Sequence, residues 1–259
     1  MDKALHDNIK VAYDAAFFSK EINKERKLYN DKIGFYNLGY WKGIEQDSSI
    51  ELAQINLIET LVRFFIPNKT SNILDVACGR GVSTKFLTKY FDPKNITGIN
   101  ISETQLELCQ LVAPECTFRL MDAASLDFGD SSIDNILCIE ATHHFRTQKK
   151  FLQEAYRVLK PGGRLAMQDL MHDEYQLDVL STVLPKENYL ANADEFRARL
   201  VEVGFRYTRV EDDSTHCTRA VGRAIVKRME ADDVEPEKIA EVDRFYRHYI
   251  GSFMAYAIK

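Results

Sequence analysis

The sequence predicts an α/β fold built on a doubly wound, mostly parallel β-sheet, with additional helices outside the sheet. After residue 71, five apolar runs of strand length alternate with helical patterns, at residues 72–77, 95–101, 116–121, 133–140 and 163–170. Nearly continuous apolar strands separated by helices are typical of a parallel sheet that is covered on both faces. A chain of 259 residues can hold one such domain with added elements.

Helices are predicted by apolar periodicity and by the signals at their ends. An early helix is expected to begin at Ser48, because Ser48 and Glu51 form a capping-box pattern. Its apolar face is expected to comprise Leu52, Ile55, Ile58 and Val62. Further helices are expected over residues 82–90, 103–112 and 147–159. The last of these is expected to stop at Pro161-Gly162-Gly163.

The chain after residue 170 is less regular. An irregular helix is expected over residues 172–190, an amphipathic helix over 192–203, a strand over 205–210, one or two charged helices over 216–250, and a strand at or near the sheet edge over 252–258. The chain is therefore divided into a helical, aromatic N-terminal cap (1–47), an α/β core (48–215, with residues 172–190 as a lid helix), a helical insertion expected to form a lid (216–251) and a final strand (252–259).

Composition excludes several classes of protein. The formal net charge of −5 disfavours a dedicated nucleic-acid binder, which usually carries a basic face. No apolar stretch approaches the ~18 residues that span a bilayer, and the N-terminus lacks the layout of a signal peptide. The five cysteines show no Cys-x-x-Cys spacing, which is typical of reduced thiols rather than of a disulfide framework or a zinc knuckle. We therefore expect a cytoplasmic protein without nucleic-acid, membrane or metal binding.

The most informative segment is a glycine-containing turn after the first strand. The turn carries Gly79 and Gly81, and Asp75 lies just before it. A dinucleotide site would need a third glycine where Val82 stands, and an acid near the end of the second strand where Asn100 stands. Asp75 would repel a pyrophosphate but would attract a ligand with an ammonium group. The turn therefore favours a cationic ligand over a dinucleotide.

Four segments in order resemble the motifs of class I S-adenosylmethionine-dependent methyltransferases, which have a Rossmann-like fold. The segments are residues 73–84, 97–102, 121–124 and 157–163, and the resemblance covers about residues 50–210. It implies S-adenosyl-L-methionine as cofactor, S-adenosyl-L-homocysteine as product, and a small-molecule methyl acceptor.

The resemblance also implies cofactor contacts at several positions. The turn of Ala77, Gly79 and Gly81 would approach the methionine part, and Asp75 would act on the ammonium group. Asn100 is expected to contact the ribose. Ile101, Asp122 and Ala123 are expected to lie around the adenine. Glu140 and Tyr36 are also expected to contact the cofactor. Two positions depart from the family pattern, since Ala77 replaces a glycine and Asn100 replaces an acid. Read alone, Asp75 is equally compatible with a turn acid, Asp122 is more typical of a turn acid at a strand end, and Asn100 is compatible with a turn former.

Candidate catalytic residues follow the fourth and fifth strands. His143 and His144 come just after the fourth strand, and Asp169 ends the fifth. A histidine and a carboxylate at neighbouring strand ends are typical of a general base and the group that orients it. The arrangement resembles sugar and natural-product O-methyltransferases within the family. Since adjacent residues on a strand point to opposite faces, only one histidine is expected to face the site. We predict His144 as the base.

A metal site built from the same histidines and Asp169 together with His172 is not predicted, because the spacing matches no standard ligand set.

The predicted function is methyl transfer to a hydroxyl group of a small metabolite or natural product, with a histidine base. The aromatic segment at residues 36–41 is expected to close over cofactor and substrate. Two alternatives stay open: an N- or C-methyltransferase acting on a small molecule, and a catalytically silent binding module on the same fold. Nothing in the sequence indicates the oligomeric state.

Overall fold

The computed structural model describes residues 37–45, 49–174 and 182–259, together with Asn8 and Val11. The strands are β1 (Ile73–Val76), β2 (Ile96–Asn100), β3 (Thr117–Leu120), β4 (Ile133–Ile139), β5 (Leu159–His172), β6 (Tyr207–Asp212) and β7 (Ile250–Ile258). The helices are α1 (Ile50–Val62), α2 (Val82–Leu87), α3 (Glu103–Val112), α4 (Gln148–Val158), α5 (Ala193–Val203), α6 (Thr218–Ala231) and α7 (Pro236–Arg244). A π-helix (Phe245–Tyr249) follows α7, and short 3₁₀ helices comprise Pro93–Asn95, Thr142–His144 and Lys186–Asn188.

The predicted doubly wound sheet is confirmed. Its seven strands lie in the order β3-β2-β1-β4-β5-β7-β6. The first five strands are parallel neighbours, whereas β7 runs antiparallel between β5 and β6. The final strand is thus a near-edge strand, as expected. The strand order reverses at β1, which places the switch point of the sheet between β1 and β4.

Helices cover both faces of the sheet because alternate strand residues point to opposite sides. On one face, α4 and α5 contribute Phe151, Leu152, Phe196 and Leu200 to a core that includes Phe253 of β7. On the other face, α1 and α2 pack Leu57, Leu61, Phe86 and Leu87 against Leu137 and Ala166. A third cluster joins Trp41 and Ala53 to Val221 and Ile225 of α6 and to Tyr246. The segment before α1 and the helices after β6 therefore share one apolar contact.

Several predicted boundaries were wrong. Helix α1 is capped by Ser49, whose hydroxyl accepts a hydrogen bond from the Leu52 N–H at 3.3 Å, so the helix begins one residue later than the Ser48 signal indicated. Leu52 is 51% exposed, and the buried face instead includes Gln54 and Leu57. Ile58 and Val62 are buried as predicted, and the Gln54 side chain donates to the Asn37 carbonyl at 2.7 Å.

Strand β5 is longer than predicted at both ends. It begins at Leu159 and passes through Pro161-Gly162-Gly163, which the sequence marks as a helix stop. Gly162 adopts a φ of 78°, and the pairing with β4 shifts register between Ile133 and Asn135. The glycines therefore form an irregularity within the strand.

The outer elements agree with the expectations in part. The prediction of one or two helices over 216–250 is confirmed, since this region holds α6 and α7 with the π-helix after them. The helix predicted over 172–190 is wrong at its start, since His172 still pairs with Ile250 in the sheet. Residues 175–181 lie outside the described residues. The same holds for the residues before Asn37, apart from Asn8 and Val11, and so for the helix predicted there. In the described part of the chain, no helix is long and apolar enough to cross a bilayer.

Candidate active site

A cavity of about 340 Å³ opens at the carboxyl edge of β1, β2 and β4. Ligands of open α/β sheets bind in this position. Ten of the predicted residues line the cavity: Asp75, Ala77, Gly79, Asn100, Ile101, Asp122, Ala123, Glu140, His143 and His144. Gly81 and Asp169 are not among the lining residues, and Tyr36 lies outside the described residues.

The turn after β1 is held in an unusual backbone conformation. Ala77, Gly79 and Gly81 have φ values of 54°, 55° and 81°, in the left-handed region. A Cβ on Gly81 would lie 3.0 Å from the Cα of Cys109 on α3. Gly81 therefore allows the turn to rest on α3, whereas Ala77 and Gly79 present backbone to the cavity. The left-handed φ of Ala77 explains why a glycine is favoured at its position.

Asp75 lies at the end of β1 with its side chain turned into the turn. The hydroxyls of Ser83 and Thr84 donate to its Oδ2 at 2.7 and 2.6 Å. Burial raises the pKa of the Asp75 carboxyl to about 6, although the two hydroxyls act to lower it. A nearby cation would stabilise the ionised form and lower this pKa. The carboxylate is both a turn brace and a wall of the cavity.

Asn100 and Asp122 make the turn contacts that the simpler interpretation expects, and they also line the cavity. The Asn100 amide donates to the Gly79 carbonyl at 3.2 Å and to Gln105 Oε1 at 2.9 Å. Asp122 Oδ1 accepts from the Ala124 N–H at 2.8 Å. Asn100 thus ties the end of β2 to the glycine turn, and its amide N–H groups are already used within the protein.

Glu140 connects the cavity to the segment before α1. Its φ is 48°, its backbone N–H donates to the Gln168 carbonyl at 2.8 Å, and its Oε1 accepts from the Leu38 N–H at 2.8 Å. Burial raises the pKa of Glu140 well above its ordinary value. Two backbone hydrogen bonds also hold the segment before α1. The Tyr40 N–H donates to the Ala53 carbonyl at 2.8 Å, and the Trp41 N–H donates to the His216 carbonyl at 2.7 Å. Residues 37–41 therefore run from the cavity wall to α6.

His143 is paired with the carboxylate of Asp169. His143 Nδ1 bonds Asp169 Oδ1, the Thr142 hydroxyl donates to Oδ2, and the Leu170 N–H donates to Oδ1 at 2.8 Å. Asp169 is fully buried. Burial acts to raise its pKa, but the His143 ring and the Thr142 hydroxyl hold the pKa of Asp169 below its ordinary value. Asp169 is thus an anion next to a histidine that lines the cavity.

The expectation that only one histidine faces the site is wrong. Both rings line the cavity, with centroids 4.0 Å apart. The alternation of a strand does not apply, because His143 and His144 lie in a 3₁₀ turn. His144 Nδ1 bonds the Val183 carbonyl at 2.8 Å, and burial, aided by His143, lowers the pKa of His144 well below its ordinary value. Of the two histidines, His143 is the one that is hydrogen-bonded to the carboxylate of Asp169.

The sequence analysis missed Asn188, which holds the histidine turn in place. Its amide Nδ2 donates to the carbonyls of Phe145 at 2.7 Å and His143 at 3.1 Å, and its Oδ1 accepts from the Gln148 N–H at 2.9 Å. Asn188 lies 45 residues after His143, in a segment whose sequence predicts only an irregular helix. No local signal could have identified it.

Comparisons with known proteins show which family the chain resembles. Residues 74–167 match the family model described as "Methyltransferase domain". The chain is 32% identical over 190 residues to the "O-methyltransferase cnsE" of Penicillium expansum, covering 69% of this chain and 68% of that one. It is 31% identical over 198 residues to the "O-methyltransferase rstn1" of Aspergillus nomiae, covering 70% and 86%. The structure of mycolic acid cyclopropane synthase CmaA1 complexed with SAH and CTAB aligns with a TM-score of 0.74 at 17% identity, over 98% of both chains.

The strand order, the glycine turn after β1 and the cavity at the switch point define the Rossmann-like methyltransferase fold. The relatives at 31–32% identity show the family as well as the fold. The chain belongs to the class I S-adenosylmethionine-dependent methyltransferases, enzymes that take their methyl group from S-adenosyl-L-methionine. The resemblance inferred from four short motifs is confirmed.

Proposed function

We propose that this enzyme transfers a methyl group to a hydroxyl group of a small metabolite, and that His143 acts as the general base with Asp169 as its orienting partner. The observation that carries this proposal is the buried contact between His143 Nδ1 and the Asp169 carboxylate at the wall of the cavity. The relatives named as O-methyltransferases support a hydroxyl acceptor.

The residues of the cavity fit S-adenosylmethionine by their chemistry. Asp75 supplies a buried carboxylate for the ammonium group, and the left-handed turn at Ala77 and Gly79 exposes backbone to the same space. Ile101 and Ala123 supply apolar surface for the adenine ring of the cofactor, with Asp122 beside them. When bound, the cofactor supplies an electrophilic methyl group on a sulfonium.

His143 is better prepared than His144 to accept a proton. The carboxylate on Nδ1 favours the tautomer with its proton on Nδ1 and leaves Nε2 as the acceptor. When Nε2 takes the proton of a hydroxyl group, the ring becomes cationic, and the ionised Asp169 next to it stabilises that charge. His144 has a neutral carbonyl in the same position and a strongly lowered pKa. We therefore assign His144 to shaping the acceptor space.

The segment before α1 and the helices after β6 are proposed to enclose the methyl acceptor. Residues 37–41 hydrogen-bond to Glu140 on the cavity wall and to His216 before α6. α6 and α7 are the helices of the predicted helical insertion. Together with residues 37–41, they would form a lid over the acceptor. Such a lid excludes water from the reacting groups.

Calorimetry and a turnover assay test the proposal on three variants: His143→Gln, His144→Gln and Asp169→Asn. Release of S-adenosylhomocysteine is measured with a panel of phenolic and other hydroxylated metabolites, and S-adenosylhomocysteine affinity is measured separately. We expect turnover to fall ~10²–10⁴-fold in His143→Gln. Asp169→Asn is expected to fall comparably, His144→Gln less, and cofactor affinity to change little.

Other outcomes identify the alternatives. Retained turnover in His143→Gln with amine acceptors would indicate an N-methyltransferase, whose acceptor needs less help from a base. Turnover lost in His144→Gln but retained in His143→Gln would restore the assignment predicted from sequence. Cofactor binding with no methylated product from any acceptor would favour a silent module.

A further inference from the structure

A second concavity, of about 140 Å³, lies on the surface of α6, α7 and the π-helix. It is lined by Arg219, Gly222, Arg223, Asp243, Tyr246 and Arg247, and we call it the arginine pocket. None of its lining residues takes part in the cavity described above. It therefore calls for an explanation apart from methyl transfer.

The arginine pocket is formed by close packing of two helical elements. Gly222 lies on α6 where a Cβ would be 2.4 Å from the Cβ of Tyr246, so this position accepts only glycine without a shift. The contact brings the π-helix against α6, and Arg247 follows Tyr246 directly. Arg219 and Arg223 lie one turn apart on α6, on the same face. Two elements thus bring three arginine residues to one concavity.

The charge of the arginine pocket is strongly unbalanced. Among its described lining residues, Asp243 is the single carboxylate, and its Oδ1 already accepts from Arg247 Nε at 2.7 Å. Within the part of the chain that the structure describes, Arg223 donates one long hydrogen bond, to the carbonyl of Thr215 at 3.5 Å. The whole chain, in contrast, has a formal net charge of −5. Positive charge is therefore concentrated at this place on an acidic protein.

Helix energetics do not favour this placement of arginines. Like charges at i and i+4 destabilise a helix, and Arg219 lies in the first turn of α6, where the helix dipole is positive and no acid is present. The backbone N–H of Arg219 donates to the Ser214 carbonyl at 2.8 Å, so the site is made of side chains and not of a free helix terminus. An anion between the guanidinium groups would relieve this repulsion.

We propose that the arginine pocket binds a phosphoryl group. A guanidinium group donates two parallel hydrogen bonds to phosphate oxygens, and several arginines around one site are typical of phosphate recognition. Arg219 and Arg223 are exposed, so the ligand can come from solution. A free phosphorylated metabolite and a phospholipid headgroup share this chemistry. The proposal does not depend on the methyl acceptor.

Calorimetric titration of the full chain with inorganic pyrophosphate, at constant ionic strength in chloride, tests the proposal. The variant is Arg219→Gln/Arg223→Gln. The matched control is Arg197→Gln/Arg206→Gln, which removes the same charge from exposed positions on and after α5. We expect the pocket variant to lose at least tenfold in pyrophosphate affinity and the control to stay within about twofold. Titration with S-adenosylhomocysteine shows that both variants remain folded.

Sedimentation with vesicles distinguishes the two sources of the phosphoryl group. Vesicles of phosphatidylglycerol and phosphatidylcholine are compared with vesicles of phosphatidylcholine alone. Binding to the anionic vesicles that is lost in the pocket variant supports a lipid headgroup, and pyrophosphate binding without vesicle binding supports a free metabolite. The proposal is overturned if pyrophosphate does not bind, or if the pocket variant and the matched control lose affinity equally.

Discussion

Replacing Asp213 by asparagine is expected to stabilise the protein at alkaline pH. Asp213 follows β6 and is 5% exposed, and neither of its carboxylate oxygens has a hydrogen-bond partner among the described residues. Burial, with a smaller contribution from the charge of Asp212, raises the pKa of Asp213 from 3.8 to about 7, although the nearby Ser252 side chain acts to lower it. Glu140, whose pKa is also raised, is another acid near it. Ionising Asp213 therefore costs folding free energy.

The size of the effect follows from the difference between the folded and unfolded pKa. Because the folded form holds the proton more tightly, stability is greatest at low pH and falls between pH 3.8 and about 7. The full loss well above pH 7 is just over ~4 kcal/mol, and just under ~2 kcal/mol of it is already present at pH 5. Asparagine does not titrate. The advantage of Asp213→Asn should therefore grow by about 3 kcal/mol from pH 5 to pH 8.5.

Urea denaturation at pH 5, 6, 7 and 8.5 measures this change directly. The matched control is Asp194→Asn, which makes the same chemical change at an exposed carboxylate on α5. The control should show a difference from wild type that does not follow the same pH course. An advantage of Asp213→Asn that is constant with pH, or a variant that is less stable at pH 8.5 than at pH 5 relative to wild type, would refute the reasoning.

Three further substitutions have expected outcomes. Ala77→Gly should raise the free energy of unfolding by about 1 kcal/mol, because glycine removes the cost of the left-handed φ of 54°. Asn188→Ala should destabilise the fold by ~2–4 kcal/mol, since it leaves buried carbonyls and one N–H without partners, and it should lower turnover more than cofactor affinity. Gly222→Ala should cost ~1–3 kcal/mol through overpacking on Tyr246 and should weaken pyrophosphate binding.

Urea denaturation checks all three, with turnover added for Asn188→Ala and pyrophosphate calorimetry for Gly222→Ala. Gly129→Ala is a control for Gly222→Ala, because a Cβ at Gly129 meets nothing within 4 Å. A less stable Ala77→Gly, an Asn188→Ala variant with normal stability, or a Gly222→Ala variant equal to Gly129→Ala would each contradict the corresponding contact.

Local pattern was sufficient for the core of the fold. The apolar runs before residues 77, 101 and 140 each form a parallel strand, because a buried strand is marked by its own residues. The turn at Gly79 was identified in the same way. Boundaries were harder to predict: the helix before Pro161-Gly162-Gly163 does end, at Val158, but these three residues lie within β5, in the irregular stretch between the pairs Leu159–Ile133 and Arg164–Asn135.

Sequence by itself determined the sheet, the position of the cavity at its carboxyl edge and the two histidines that line this cavity. It could not determine which histidine meets Asp169, because that choice depends on the 3₁₀ turn after β4 and on the register that pairs Ile139 with Gln168. Asn188 and the arginine pocket were equally unreadable. Both depend on contacts between residues far apart in the chain, and such contacts are set by packing rather than by any local pattern.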